Sequence, residues 1–199
     1  YNGVLNTETA EEVWQLSKKV LKEAKGGVRQ IIKDSNVAFI GTTDEPIDSL
    51  VWHKKLIEDE SFDVVVAPTF RPDKALNIEK AGWLDYIKKL EEVAGVKIDS
   101  VCALKEALAK RIDYFDACGC RASDHGLDYV AFSRLSEQEL NAILAKGLNG
   151  QAVTLSEADA LKTELLIFCA AEYKNRDWAM QLHYNCLRNP NSKMFASLG

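Results

Sequence analysis

Apolar positions recur at helical spacing through most of the chain, and short uninterrupted apolar runs fall between the helical stretches. Thr9 and Glu12 stand at capping-box spacing, and Val13, Leu16, Val20, Leu21 and Ala24 follow at helical intervals until Gly26-Gly27 breaks the pattern. Val37 to Ile40 is a short apolar run ending at Gly41, as expected of a buried strand, and Val64 to Pro68 is a second. Between them, His53 to Asp59 reads as a helix. Ile78, Trp83, Leu84, Ile87, Leu90 and Val93 form the apolar face of a longer helix that Gly95 ends, and Leu104, Ala107, Leu108, Ile112 and Phe115 repeat the signature over Ser100 to Phe115. A third strand is expected from Tyr114 to Cys120. Helices then start at Ser136, with Glu139 in capping-box position, and near Ser156, the latter running to about Asn175. Trp178 to His183 reads as a fourth strand.

Strands separated by helices argue for parallel βα units, either an open doubly wound sheet or part of a (β/α)8 barrel. In both, chemistry gathers beyond the carboxyl ends of the strands. The polar clusters obey that rule: TTDEP follows the first strand, TFRPD the second, RASDHG the third and HYNCLRN the fourth. If the strands are neighbours, all four clusters converge on one crevice.

Composition narrows the partners. The chain has 199 residues, 47% hydrophobic and 28% charged, which suits a single globular piece over residues 1–199. No apolar run approaches the ~20 residues of a membrane span. The net charge is −5 with no Lys/Arg-dense stretch, which argues against nucleic acid and for a small-molecule or protein partner. Five scattered cysteines, an odd number lying mostly in apolar segments, fit reduced thiols in the cytoplasm better than a disulfide framework. The chain opens on Tyr1 without a signal segment and reads as a cut from something longer.

Each candidate has a plainer reading beside the functional one. Asp44 before Pro46 is common turn chemistry, and Asp73 after Pro72 reads as a helix cap. Arg71, just beyond a buried strand, calls for a carboxylate partner from the protein or from a ligand. Asp124 and His125 form either a catalytic pair or a loop-stiffening one. His183 is either a satisfied core histidine or an acid/base group or metal ligand at a strand end. Arg188 is a surface charge, or an anion binder with Asn189 and Asn191. Cys118 and Cys120 lack the second Cys/His pair of a structural zinc site and read as packing. With no Gly-rich phosphate loop and no Gly-x-Ser-x-Gly elbow, what remains is a set rich in Arg, His and Asp. Such a set suits a small, oxygen-rich anion whose protons must be moved.

TTDEPIDSL, PTFRPDKA, GCRASDHGL and QLHYNCLRNPNSKMF, in this order, resemble the uronate (glucuronate) isomerases of the amidohydrolase superfamily, over essentially the whole chain. The resemblance implies a partial (β/α)8 barrel, about strands three to six with their helices. It implies the interconversion of D-glucuronate with D-fructuronate, and of D-galacturonate with D-tagaturonate, in bacterial hexuronate catabolism. A divalent metal, zinc first among the candidates, is implied for the full-length enzyme. Arg71 is expected to bind the substrate carboxylate, with Arg188 and Trp52 as further substrate contacts. His183, Asp124 and His125 are expected to be catalytic, with His183 also a candidate metal ligand.

The family's His-x-His pair on the first strand and Asp-x-Arg pair on the last are absent here, so the chain is expected to be inactive by itself. Its two unpaired sheet edges are expected either to pair with another copy, as a homo-oligomer, or to leave edge and apolar surface exposed. The alternatives are a metal-dependent hydrolase of the same superfamily and a non-catalytic anion-binding module.

Overall fold

The structure, a computed structural model, describes residues 3–23, 27–184 and 189–198. Contacts sort the chain into two units: Tyr1–Ile40 with Lys55–Val66, and Gly41–Lys54 with Ala67–Gly199.

In the first unit the amino-terminal periodicity forms α1 (Ala10–Glu23), followed by α2 (Gly27–Asp34), which the sequence pattern does not announce. The turn before α1 is built by Asn6, whose Oδ1 accepts the N–H groups of Glu8 and Thr9, while the Thr9 hydroxyl donates to Val4 O. The expected Thr9 cap therefore does not form. No side chain of α1 is buried, and Trp14, Val20 and Leu21 lie exposed along it. From α2, Arg29 pairs with Asp59 at 2.7 Å and Lys33 with Asp63 at 3.2 Å.

Three elements run from one unit into the other: β1 (Phe39–Gly41), α3 (Val51–Ile57) and β2 (Val65–Ala67). The second unit continues with α4 (Asp73–Leu76), α5 (Trp83–Ala94), α6 (Val101–Ala117), β3 (Ala122–Leu127), α7 (Glu137–Leu148), α8 (Leu155–Asn175), β4 (Ala179–Tyr184) and α9 (Ser192–Leu198). Ser100 caps α6, and both Ser136 with Glu139 and Thr154 with Glu157 form complete capping boxes on α7 and α8. Gly95 ends α5 in the left-handed conformation.

The third strand lies later than the sequence pattern suggests. Tyr114 to Ala117 belong to α6, because nothing breaks that helix before Gly119, whose φ of 87° turns the chain into β3. RASDHG, expected as the loop after a strand, is for the most part the strand itself.

β1 pairs with β2 and β3 with β4, the latter pair in parallel register. Phe70 joins them through parallel bridges to Asp44 on one side and Ser123 on the other. Asp44 N–H donates to Thr69 O and Asp44 O accepts from Arg71 N–H, both at 2.9 Å, which is the alternation of a parallel ladder. The strands thus neighbour one another in sequence order.

Side chains alternate across these strands. Phe70, Ser123 and His125 face the helices, where Phe70 is edge-on to Phe115 of α6 at 5.0 Å and lies 6.1 Å from Tyr173 of α8. Tyr173 stacks on Trp178 at 5.5 Å. From α6, the buried Arg111 donates to Pro46 O and Asp48 O at 2.5 and 2.8 Å and stacks over Tyr114, whose hydroxyl donates to Ser49 O. The loop after Asp44 is thereby tied to a helix.

One position in α7 is closed to any side chain. A Cβ on Gly147 would lie 2.7 Å from Ile78 Cδ1 and 2.9 Å from Trp83 Cζ3, and Trp83 is itself held by its indole N–H to Ala75 O at 2.9 Å. Gly147→Ala is expected to destabilise the protein by about 1–3 kcal/mol through overpacking, despite the better helix propensity of alanine. Denaturant unfolding checks this, and a stability equal to or above the parent would contradict the packing described.

Candidate active site

The face of β2–β4 turned away from the helices carries the polar chemistry. Asp124 stands opposite Gln181, and Gly126 opposite His183, across the β3–β4 register. Arg71 follows Phe70 on the neighbouring strand and so points to this same side. Its Nε donates to Asp73 Oδ2 at 2.9 Å and its Nη1 to Asp124 Oδ2 at 3.2 Å. The other Asp124 oxygen lies 3.0 Å from His183 Nε2, an ion-pair distance without hydrogen-bond alignment. Gln181 Nε2 lies 2.5 Å from the same imidazole nitrogen. Arg71, Asp73, Asp124, Gln181 and His183 therefore form one connected group.

Asp73 does not cap α4, whose N-cap Pro72 makes no side-chain cap bond. Its Oδ2 instead receives both Arg71 Nε and the Gly126 N–H, the latter at 3.0 Å. Gly126 has to be a glycine for this to occur, since a Cβ there would lie 2.6 Å from Arg71 Nη2 and 3.1 Å from Asp73 Oδ2. Hydrogen bonding to Asp73 raises the pKa of Arg71 above its ordinary value, against the opposing effect of burial. The guanidinium is therefore a permanent cation. About a third of the Arg71 side chain remains exposed, at 34%.

Other candidates from the sequence lie elsewhere. His125 is on the helix-facing side of β3, fully buried, 5.8 Å from the Tyr173 ring, and is not presented to this site. Alternation accounts for the split, because neighbours on a strand cannot share a face. Asp44 is engaged by the Thr42 hydroxyl at 2.5 Å, and Thr42 Oγ1 is also 2.7 Å from Nε2 of the buried His53. Trp52 projects from the first turn of α3 with 69% exposure. Asn191 accepts the Met194 N–H at the start of α9. Arg188 and Cys186 lie outside the described residues.

Burial pushes the Cys120 thiol up to about 11 and the Cys169 thiol up to about 12, so neither is a nucleophile near neutral pH. Sequence reasoning missed Gln181 and Gly126 and gave Asp73 the wrong task. The usable signal was spacing: Gln181 is two residues before His183 on one strand face, and Asp73 is two residues after Arg71.

Among the described residues no three His, Cys, Asp or Glu side chains converge as a metal site. His183 and Asp124 offer two donors where a catalytic zinc takes three from protein. The donor set in this chain does not by itself fit the metal.

Burial draws the His125 pKa down to about 4 from 6.5, against the raising influence of Asp73 and Asp124, while Arg71 adds to the lowering. Since the folded value is the lower one, the unfolded chain binds the extra proton between pH 6.5 and 4. The associated stability is whole above pH 6.5 and lost as pH falls towards 4, by up to about 3 kcal/mol. Unfolding free energies measured across that window are expected to slope upward with pH, and His125→Leu is expected to reduce the slope. An equal slope in the variant would mean that His125 is not neutral in the fold.

The glucuronate isomerase family profile matches residues 1–199. A uronate isomerase of Lachnospira eligens is 47% identical over all 199 residues, which cover 42% of that protein. One from Caldanaerobacter subterraneus is 45% identical over 196 residues, again 42% of its length. The crystal structure of a uronate isomerase from Thermotoga maritima superposes with a TM-score of 0.88 at 32% identity, covering 99% of this chain and 43% of that one. A glucuronate isomerase from Caulobacter crescentus, at 23% identity, shares the fold with a TM-score of 0.86 over 98% of this chain and 40% of its own. The chain spans less than half the length of the relatives it matches, and it belongs to the glucuronate isomerase family.

Proposed function

We propose that these residues are part of an aldose–ketose isomerase that interconverts D-glucuronate and D-fructuronate, and D-galacturonate and D-tagaturonate. The observation that carries the reading is Arg71, a fork-shaped cation held by two carboxylates beside His183 at the carboxyl ends of parallel strands. A guanidinium so fixed matches the planar carboxylate of a uronate, which it binds from its exposed end. In the open-chain aldose the C2–H bond breaks and O1 gains a proton to give an enediol; the O2 hydroxyl then gives up its proton as C2 becomes the carbonyl, and C1 gains one. Atoms and electrons balance without an oxidant or reductant. His183, backed by Asp124 and Gln181, is the group in this chain suited to hold or move a proton at Nε2.

The charge balance bounds what this chain does alone. Asp73 and Asp124 against Arg71 leave about one net negative charge around the guanidinium, an unfavourable setting for an anionic sugar. Further positive charge must come from elsewhere. We assign it to the longer protein, including a divalent metal, zinc first among the candidates, whose principal ligands lie outside these residues.

The same reading makes the sequence-ordered parallel strands one part, about strands three to six, of a (β/α)8 barrel. β4 has β3 alone as its strand partner among the described residues, and Leu182 and Tyr184 are exposed on it. A further strand of the same barrel takes that edge, and assembly with other copies belongs to the proposal. No helix of the described residues is long and apolar enough to cross a membrane. The four described cysteines are free, which agrees with a bacterial cytoplasmic enzyme.

The test is D-glucuronate with a divalent metal in D2O, followed by NMR for loss of the C2 proton and formation of the keto sugar. Turnover is expected from the full-length protein and none from the 199-residue chain. Arg71→Lys in the full-length protein keeps the charge and loses the fork, and is expected to lower kcat/KM by about tenfold to a hundredfold. No turnover by the full-length protein sinks the isomerase reading, and turnover by the 199-residue chain sinks the claim that essential groups lie outside it.

A further inference from the structure

His125 presents a problem that the proposed reaction leaves open. The ring is fully buried, and both Nδ1 and Nε2 are without a hydrogen-bond partner. A neutral imidazole carries one donor and one acceptor, and burying them unmet costs roughly 1–3 kcal/mol each, whereas a leucine of similar size costs nothing of the kind. A histidine with no task at this position would be better replaced.

The nearest charge to the ring is Asp73. Its Oδ1 lies 4.0 Å from His125 Nδ1, while its Oδ2 is already committed to Arg71 Nε at 2.9 Å and to the Gly126 N–H at 3.0 Å. Among the described residues, Oδ1 receives no hydrogen bond. The Tyr173 ring, 5.8 Å away, limits the imidazole on the helix side. The one charged acceptor within reach is thus the unused oxygen of the carboxylate that holds Arg71. A closure of about 1 Å, within the range of a side-chain rotation, turns the contact into a charge-assisted hydrogen bond.

We infer that His125 is a positioning residue: from the helix-facing side of β3 its Nδ1–H fixes Asp73, and through Asp73 it fixes the Arg71 guanidinium. It touches no substrate and moves no proton. β3 then serves the site from both faces, with Asp124 acting directly on Arg71 and His125 acting round the strand end. The inference rests on the proposed reading of Arg71 as the carboxylate-binding group.

Two substitutions separate this from a packing role. Asparagine places an amide N–H near the position of Nδ1, and leucine fills the space with no donor. In the full-length protein, His125→Leu is expected to raise KM for D-glucuronate by about tenfold, the value of one charge-assisted hydrogen bond, with a smaller change in kcat. His125→Asn is expected to stay within about threefold of the parent, the modest loss of an imperfectly placed donor. The Arg71 Nε–H resonance, followed by 15N NMR, gives a readout free of turnover. It is expected to be slow to exchange in the parent and in His125→Asn, and broadened by exchange in His125→Leu. Equal kinetics and equal exchange in the two variants, or a leucine variant that matches the parent in both, would overturn the inference. An inactive parent whose Arg71 signal still responds to His125→Leu alone would sink the isomerase reading and leave the positioning role standing.

Discussion

Phe70 is the point at which two sheet joins and the aromatic core meet. Its backbone bridges to Asp44 and to Ser123, and its fully buried ring lies among Phe115, Tyr173 and Trp178. Burial of a phenylalanine side chain contributes about 1.5–3 kcal/mol, and edge-to-face ring pairs add to it. That energy anchors more than a core. With Phe70 pinned towards the helices, the next residue has no choice of face, and Arg71 is delivered to the opposite side with its backbone bonded to Asp44. The chemistry of the site begins as a consequence of hydrophobic packing one residue earlier.

The same alternation sorts the third strand. Ser123 and His125 go with Phe70, and Asp124 goes with Arg71, so a tetrapeptide that looks uniformly polar in sequence divides into a buried half and a site-facing half. This division was not legible beforehand. A strand with polar residues on both faces lacks the apolar alternation by which strands are recognised, so SDHG reads as a loop. Tyr114 to Ala117, apolar enough for a strand, continued the helix before them because no breaker intervenes until Gly119.

What could be read in advance was whatever depends on local chemistry. Ser136 with Glu139 signals a capping box that forms as expected, while α8 is capped by Thr154 with Glu157, just before the start expected near Ser156. Arg71, Asp124 and His183 do converge, as clusters on neighbouring parallel strands should, but Asp124 and His183 meet on one face within β3 and β4 and not in the loops beyond them. The task of Asp73 is hidden in the sequence, because a carboxylate after a proline suits a helix start so well that local chemistry conceals a partner 53 positions away in the chain. The buried Arg111 carries no sequence signal at all. It sits in an ordinary helical pattern, and its partners are backbone carbonyls more than sixty residues earlier.

The order of the strands has a bearing on how the molecule is made. Each strand of the series neighbours the one before it, through strand pairing or through the Phe70 bridges. A chain leaving the ribosome amino end first therefore offers every new strand a neighbour that is already in place. The side chains wait longer than the backbone, since the Phe70 ring meets Tyr173 and Trp178 only after α8 is made, while α7 and α8 carry their own start signals. Backbone pairing can keep pace with translation, with β1 at one edge of the growing sheet and the newest strand at the other.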